Sequence, residues 1–368
     1  MEYRFIQHIR ELRKVGYISD EEATPAAGAL VDCALGTNPY GCPEAALEAV
    51  KNAALADIAA YPAYPYADLR RRIADFWRGF VDLPVGCVRM GGGSIGPLNQ
   101  INKLFVGAGN RVLGYCPQFT DYIANVRSYG GRYEAYALPR EKAYAFDCEA
   151  FLRRVEDGHA LIYLDNPNNP TGQVIPLDQI LEIARRARRL DACVIVDEAY
   201  GEYMPPSASA VTLTGACDNL FVVRSFSKGY GLAGLRAGYV VACERLMEYY
   251  QRIEIPFTIT ALAQAAVSAA LGDGAFIERT LRNTAAVKAE VMRACRGLTC
   301  SATAPATSIM VLEHPDETVD LHAAFLRRGV LTEAGEGFPG LSRNAVRVRM
   351  PREAKPLADA VRGIENES

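Results

Sequence analysis

Residues 192–199 (ACVIVDEA), 219–226 (NLFVVRSF) and 237–243 (AGYVVAC) are near-continuous apolar runs of strand length. Such runs are typical of strands in a parallel sheet that is covered on both faces. Further segments of helical or strand-like spacing precede and separate them, at 44–55, 67–80, 111–116, 160–165 and 180–189. This alternation predicts an α/β fold with a mostly parallel central sheet covered by helices.

The pattern changes after a long helical stretch at 276–296. Short strands are predicted at 308–313, 330–333 and 345–350, with helices at 319–328 and 352–364. We therefore predict a large domain at 38–273 and a smaller α+β domain formed by 1–37 and 274–368. Because no repeat or low-complexity linker separates the two parts, we expect them to pack closely and to share a site.

Composition excludes several classes of protein. Half of the residues are apolar and 23% are charged, which is typical of a globular protein, and a net charge of -3 provides no field for nucleic acid or an anionic membrane. The ten cysteines and four histidines are scattered without metal-ligand spacing, and no apolar run reaches the ~18 residues of a membrane span. The start of the chain shows no signal-peptide pattern. We expect a cytoplasmic protein without a metal site.

The segment 225–236, SFSKGYGLAGLR, carries the strongest chemical signal. Lys228 follows a predicted strand, with hydroxyls just before it and Arg236 eight positions later. A lysine in this setting suits a Schiff base beside a phosphate clamp, in which Arg236 donates paired hydrogen bonds. Taken alone, a surface lysine in a glycine-rich loop is the alternative interpretation.

Two other segments lie at predicted strand ends. Residues 166–172, NPNNPTG, follow the strand at 160–165, and 196–200, VDEAY, end the next strand. Open α/β sheets bind ligands at the carboxyl ends of their strands. Asp197 could keep a pyridine nitrogen protonated there, although an aspartate in this position alone would suggest a helix cap or a loop ion pair.

These segments resemble the pyridoxal-phosphate-dependent class I/II aminotransferases of fold type I, and most closely the histidinol-phosphate aminotransferase-like branch. The resemblance covers nearly the whole chain. It also includes the segments 37–43 (TNPYGCP), 61–62 with 69–70, 90–94 (MGGGS), 116–122 (CPQFTDY) and 345–348 (AVRV).

The resemblance implies that pyridoxal 5′-phosphate is the cofactor and that Lys228 forms the Schiff base and moves the proton. It implies that Asp197 pairs with the pyridine nitrogen, that Asn169 and Tyr200 hydrogen-bond the phenolic oxygen, and that Phe119 stacks on the ring. Lys228, Asp197 and Tyr200 would be the catalytic residues. The expected phosphate ligands are the backbone around Gly93, Ser94 and Ile95, the side chains of Ser225, Ser227 and Arg236, and Tyr61 from a second subunit.

The substrate site implied by the same resemblance contains Arg347, which would bind the α-carboxylate, together with Gly36, Thr37 and Asn169. In histidinol-phosphate aminotransferases the preceding strand usually ends in an arginine that binds the substrate phosphate, whereas here 329–333 reads GVLTE and ends in Glu333. An anion there would repel phosphate and attract a cation. We therefore expect an aminotransferase for an L-amino acid, with 2-oxo acid as acceptor, whose substrate has a basic, arginine-like side chain. The predicted assembly is a homodimer with shared active sites.

Other functions stay open at this point. Elimination with cyclisation, oxidation or decarboxylation of a hydroxyarginine-like or phosphorylated amino acid begins on the same cofactor. A nicotinamide dehydrogenase is suggested by G-x-G-x-x-G at 91–96 and 229–234, but we find no clear strand before either motif and no acidic strand end ~20 residues later. A DNA-binding regulator is disfavoured because no helix-turn-helix pattern precedes residue 38.

Overall fold

The computed structural model describes residues 6–12, 30–53 and 58–367. Its strands are β1 (Val31–Asp32), β2 (Val88–Gly92), β3 (Arg111–Cys116), β4 (Arg132–Ala137), β5 (His159–Asp165), β6 (Cys193–Glu198), β7 (Leu220–Ser225), β8 (Ala237–Ala242), β9 (Thr299–Cys300), β10 (Ile309–Glu313), β11 (Val330–Leu331), β12 (Glu333–Ala334) and β13 (Ala345–Arg349). Its α-helices are α1 (Gln7–Glu11), α2 (Glu44–Lys51), α3 (Ala67–Trp77), α4 (Ile95–Phe105), α5 (Thr120–Ser128), α6 (Cys148–Leu152), α7 (Leu177–Arg188), α8 (Glu244–Gln251), α9 (Ala261–Ala270), α10 (Gly274–Ala294), α11 (Leu321–Leu326) and α12 (Ala354–Glu365).

A seven-stranded sheet in the order β2-β8-β7-β6-β5-β3-β4 forms the centre of the described structure. The strands from β7 to β4 run parallel, and β6 buries both of its faces: Val194 and Val196 join one hydrophobic cluster and Ile195 joins another. The continuous apolar runs arise from this two-sided burial.

The central sheet is mostly parallel, as predicted, and β8 is the strand that runs in the opposite direction. β8 is antiparallel to both β7 and β2. The connection from β7 to β8 spans only residues 226–236, which is too short for the crossover helix that a parallel neighbour requires. The sheet is therefore mixed: its parallel part extends from β7 to the edge strand β4, and the antiparallel pairs lie at the β2 side.

The helices form where the sequence has one apolar face or a capping side chain at the helix start. α7 buries Ile180, Ile183 and Ala187 on one face, whereas its arginines lie on the more exposed side. α10 is preceded by the N-cap residue Asp273, whose side chain accepts a hydrogen bond from the Phe276 amide at 3.0 Å.

A four-stranded antiparallel sheet, β12-β13-β10-β9, has its own core on the C-terminal side of the chain. The predicted strand at 330–333 is instead two short strands interrupted at Thr332, because β11 pairs with β1 and β12 pairs with β13. The β1–β11 pair joins the N-terminal segment to this part of the molecule, which supports the proposed domain division. The division itself stays a prediction, and residues 1–5 and 13–29 of its N-terminal arm lie outside the described residues.

Several elements were not predicted, among them β2, α4, α5 and β4. The glycines in β2 weaken its strand pattern, and β4 is half-exposed along its length. The glycine motif at 91–96 was expected to lack a preceding strand, but it begins at the end of β2 and leads into α4. β2 nevertheless pairs with antiparallel β8 at the edge of the sheet and not with β3, so no parallel dinucleotide-binding unit is formed.

Candidate active site

A cavity of about 220 Å³ opens at the carboxyl ends of β5, β6 and β7. It is lined by Ser94, Ile95, Phe119, Asp121, Asp165, Pro167, Asn169, Asp197, Ala199, Tyr200, Ser225, Ser227, Lys228, Ala233 and Arg236. Ten of these residues were predicted as cofactor ligands. The strand ends therefore bring together segments that are far apart in the sequence.

Lys228 lies on the loop that follows β7, against Tyr200 and the backbone of Gly36. Its Nζ is 5.5 Å from the centroid of the Tyr200 ring. A Cβ atom at Gly36 would come within 2.2 Å of Tyr200 Oη and 3.0 Å of Lys228 Nζ. Glycine at position 36 thus leaves the space that the lysine and tyrosine occupy.

Hydroxyl, guanidinium and backbone groups form an anion cradle at one end of the cavity. Ser225 Oγ donates to Ser227 Oγ at 2.8 Å, and Arg236 Nη1 donates to Ser227 Oγ at 3.4 Å. Gly93 has φ +65°, and a Cβ atom there would lie 2.5 Å from Arg236 Nη2. Since α4 begins next to these groups at Ile95, its N-terminus adds backbone N–H donors. A phosphate monoester fits this set of donors.

Asp197 is the penultimate residue of β6, lines the cavity and is 3% exposed. Its Oδ2 accepts from the Tyr163 hydroxyl at 3.0 Å and its Oδ1 from the Ala199 amide at 3.1 Å. Burial, and secondarily the neighbouring charge of Asp165, raise the pKa of Asp197 to about 7. A protonated ring nitrogen would offset this burial of negative charge.

Two polar groups face the opposite side of the cavity. Tyr200 Oη is buried and has no hydrogen-bond partner among the described residues, which leaves it available to a ligand oxygen. Asn169 Oδ1 accepts from Arg347 Nη1 at 3.0 Å. A residue predicted to bind the cofactor is therefore in direct contact with one predicted to bind the substrate.

Arg347 is fully buried on β13, where the register places it opposite Glu333 on β12. Its Nη2 also donates to the Ala34 carbonyl oxygen and lies 3.7 Å from Glu333 Oε2. Burial raises the pKa of Glu333, and the charge of Arg347 opposes that rise. Glu333 is consequently the ion-pair partner of Arg347, a contact that the sequence did not predict.

Six predicted residues are not among those that line the cavity, namely Gly36, Thr37, Tyr61, Gly93, Glu333 and Arg347. Gly36, Gly93 and Arg347 contact residues that do line it. Thr37 is half-buried beside Gly36, and Glu333 reaches the site only through Arg347. Tyr61 is 82% exposed, and its ring centroid lies 4.6 Å from that of Phe257.

Two acidic residues of the cavity were missed. Asp165 was identified only as the last residue of a strand, and its position before the 166–172 loop could have suggested a role. Asp121 lies within the 116–122 segment, but nothing in its spacing distinguished it from a surface residue.

The described residues contain no group of three or more His, Cys, Asp or Glu that could hold a metal ion. Within the same part of the chain, every helix is either too short or too polar to cross a membrane. The cytoplasmic location stays a prediction.

A strand-end lysine, a buried aspartate below the same cavity and an anion cradle on a mixed α/β sheet define a pyridoxal-phosphate enzyme of fold type I. The family model for aminotransferase class I and II matches residues 30–362. The chain belongs to this family, so the predicted family and fold are confirmed.

Relatives place the chain near one branch of the family. Histidinol-phosphate aminotransferase from Halorubrum lacusprofundi is 36% identical over 244 residues, which cover 66% of this chain and 65% of that protein. Histidinol-phosphate aminotransferase 1 from Cupriavidus pinatubonensis is 30% identical over 324 residues, or 87% of this chain and 84% of that protein. This chain thus aligns with slightly less than two thirds of the first relative and with most of the second.

Solved structures show the same fold. Histidinol-phosphate aminotransferase from Sinorhizobium meliloti, in complex with pyridoxal-5′-phosphate, superimposes with a TM-score of 0.85 at 23% identity, covering 100% of this chain and 99% of that one. A double mutant of Thermus thermophilus aspartate aminotransferase gives 0.84 at 20% identity, covering 99% and 100%. Neighbours at this similarity therefore include enzymes named for different substrates.

Proposed function

We propose that the protein is a pyridoxal-phosphate-dependent aminotransferase that moves the α-amino group of an L-amino acid to a 2-oxo acid. The convergence of Lys228, Asp197 and the anion cradle on one cavity carries this proposal. Family membership supports it, as does the pyridoxal-5′-phosphate bound by the S. meliloti neighbour.

The residues around the cavity fit this cofactor group by group. The anion cradle would hold the phosphate, Asp197 the ring nitrogen, and Lys228 the aldehyde carbon. Asn169 and Tyr200 would donate to the phenolic oxygen, and Phe119 would cover one face of the ring. The unpartnered Tyr200 hydroxyl is the feature that most directly indicates a ligand oxygen.

When bound, pyridoxal phosphate supplies an electron sink for negative charge that develops at the substrate α-carbon. Lys228 Nζ would accept the α-carbon proton and deliver it to the aldehyde carbon of the cofactor, and it would move a proton in the opposite direction when the 2-oxo acid reacts. Tyr200 restricts the position of this amine through the ring contact at 5.5 Å, and burial of Asp197 keeps water from the base of the site.

Arg347 would bind the α-carboxylate of the substrate. A planar guanidinium presents two parallel donors to a carboxylate, and the hydrogen bond to Asn169 Oδ1 fixes its orientation. Because Glu333 lies 3.7 Å from the same guanidinium, the incoming carboxylate would share or replace that ion pair.

For the substrate side chain we propose a basic group. Asp121 lines the cavity, and its charge contributes to raising the pKa of Glu333, so the two carboxylates act on the same region. This region would attract a cation and repel a phosphate. The names of the relatives offer no support for a basic substrate, which rests on Asp121 and Glu333 alone.

The test uses holoenzyme incubated with single amino acids, 2-oxoglutarate and, separately, histidinol phosphate, with products identified by mass. We expect an amino acid to be converted to its 2-oxo acid with matching formation of glutamate. Products of elimination, oxidation or decarboxylation without glutamate would contradict transamination.

The choice of substrate is tested in the same assay with Glu333→Gln. Arginine-like donors should react at lower concentration than histidinol phosphate, and the variant should narrow the difference. Strong turnover of histidinol phosphate by the unaltered protein would exclude the basic substrate and leave the aminotransferase proposal intact.

We also propose a homodimer whose partner supplies Tyr61. This side chain is exposed, does not line the cavity of its own chain, and belongs to an aromatic cluster with Phe257 and Tyr64. A second copy would cover the cluster and bring Tyr61 to the other cradle. Mixing Tyr61→Ala with Lys228→Ala protein should restore part of the activity through hybrid dimers, whereas a monomer in sedimentation would contradict the proposal.

A further inference from the structure

Two carboxylates lie side by side at the base of the cavity, although the proposed chemistry uses only one. Asp165 ends β5 and Asp197 lies on β6, and the two residues are directly paired in the parallel register. Each is 3% exposed, and both line the cavity. We call Asp165 and Asp197 the carboxylate pair.

Asp165 is held by donors alone. Its Oδ1 accepts from the Tyr115 hydroxyl at 2.8 Å, Gln118 Nε2 at 2.8 Å and Asn168 Nδ2 at 3.0 Å, and its Oδ2 accepts from the Asn169 amide at 3.0 Å. All four groups can donate to the carboxylate, and together these hydrogen bonds oppose the rise in the pKa of Asp165 that burial causes.

The groups that face the pair add no salt bridge to it in the described part of the chain. The titratable ones are Tyr115 on β3, Tyr133 on β4, Tyr163 on β5, Tyr122 on α5, Glu198 and Tyr200 on or after β6, and Lys228 after β7. Burial raises the pKa of the tyrosines, so they stay neutral donors. The negative charge of the pair is therefore directed at the cavity.

We propose that Asp165 is a positioning residue that keeps the proton on the cofactor ring nitrogen facing Asp197, through its fixed negative charge on the neighbouring strand. The inference rests on the proposed function, because it requires pyridoxal phosphate in this cavity. If the ring nitrogen lost its proton, the ionised Asp165 and Asp197 would be buried side by side without a neighbouring cation. That state is costly at low dielectric. Asp165 thereby sustains the electron sink to higher pH.

The experiment is a pH titration of holoenzyme reconstituted with pyridoxal phosphate labelled with ¹⁵N in the ring, read by NMR. The unaltered protein should keep the nitrogen protonated at alkaline pH values where free pyridoxal phosphate has lost this proton. In Asp165→Asn the nitrogen should lose its proton at a pH lower by about one unit or more. Asp165→Ser removes the same charge and replaces the asparagine variant if that protein does not fold.

Two further variants separate charge from packing. Asp121→Asn makes the same chemical change elsewhere in the cavity and should shift the titration less than Asp165→Asn does. Tyr163→Phe removes a hydrogen-bond donor to Asp197 but no charge, so the ring nitrogen should lose its proton at or above the wild-type pH. If Asp165 had a purely structural role, this pH should fall in both Asp165→Asn and Tyr163→Phe.

A second readout is the ratio of dissociation constants for pyridoxal phosphate and an analogue with C–H in place of the ring nitrogen. This ratio should favour pyridoxal phosphate less strongly in Asp165→Asn. Equal titrations and equal ratios in the variant and the unaltered protein would overturn the inference alone. Failure of the unaltered protein to bind the cofactor would instead refute the proposed function.

Discussion

Replacement of Gly36 by alanine should damage the site far more than the fold. The added methyl group would lie 2.2 Å from Tyr200 Oη and 3.0 Å from Lys228 Nζ, distances at which one of the two side chains must move. Tyr200 packs in a small cluster with Tyr203 and Ile309, so its ring has little freedom to turn away. Overpacking of this kind costs about 1–3 kcal/mol, which corresponds to a loss of about 5- to 150-fold if it falls on the bound state.

The assay compares Gly36→Ala with the control variant Gly234→Ala, in which the added methyl group would have no other atom within 4 Å. We expect kcat/KM and cofactor affinity to fall by that factor in Gly36→Ala, whereas both quantities stay close to wild type in Gly234→Ala. Activity and affinity within twofold of wild type in Gly36→Ala would refute the argument that this glycine leaves the space for Lys228 and Tyr200.

Three further outcomes follow from individual side chains. Lys228→Ala should abolish turnover and leave the cofactor bound without a borohydride-reducible link; mass spectrometry that still finds the reduced adduct contradicts the assignment. Burial raises the pKa of Asp197 to about 7, so the folded apoprotein retains a proton that the unfolded chain loses near pH ~4. The free energy of unfolding measured in urea should therefore fall as pH rises between these two values. Asp197→Asn should lack this part of the pH dependence. Arg224→Ala should lower the free energy of unfolding by about 3–5 kcal/mol, since it leaves Glu198 and Glu202 buried without their partner; a urea-measured loss below about 1 kcal/mol would contradict this.

Much of the architecture could be predicted from local pattern. The apolar run at 192–199 contains β6 (Cys193–Glu198), and 111–116 matches β3 at both ends. Each run fills a strand that is buried on both faces, so its continuous apolar composition is enough to predict the strand. β2 and β4 lack such a continuous apolar run, because β2 contains glycines and β4 is partly exposed, and they were therefore not predicted.

The sequence by itself was enough to predict the family, five of the seven strands of the central sheet and the polar residues that follow those strands. Lys228, Asp197 and Asn169 lie in short segments whose chemistry depends on residues adjacent in the chain, and such segments can be identified without coordinates. The predicted cofactor residues follow from the resemblance of these segments to the family, and their roles stay a prediction.

Only the tertiary structure decided how distant segments meet. The contact of Arg347 with Asn169 joins residues 178 positions apart, and the pairing of Glu333 with Arg347 depends on the register of β12 against β13. Likewise, Asp165 becomes significant only when β5 and β6 are aligned and place it beside Asp197. Register and strand order are set by the packing of the whole core, and a one-residue slip would turn each of these side chains to the other face of its sheet.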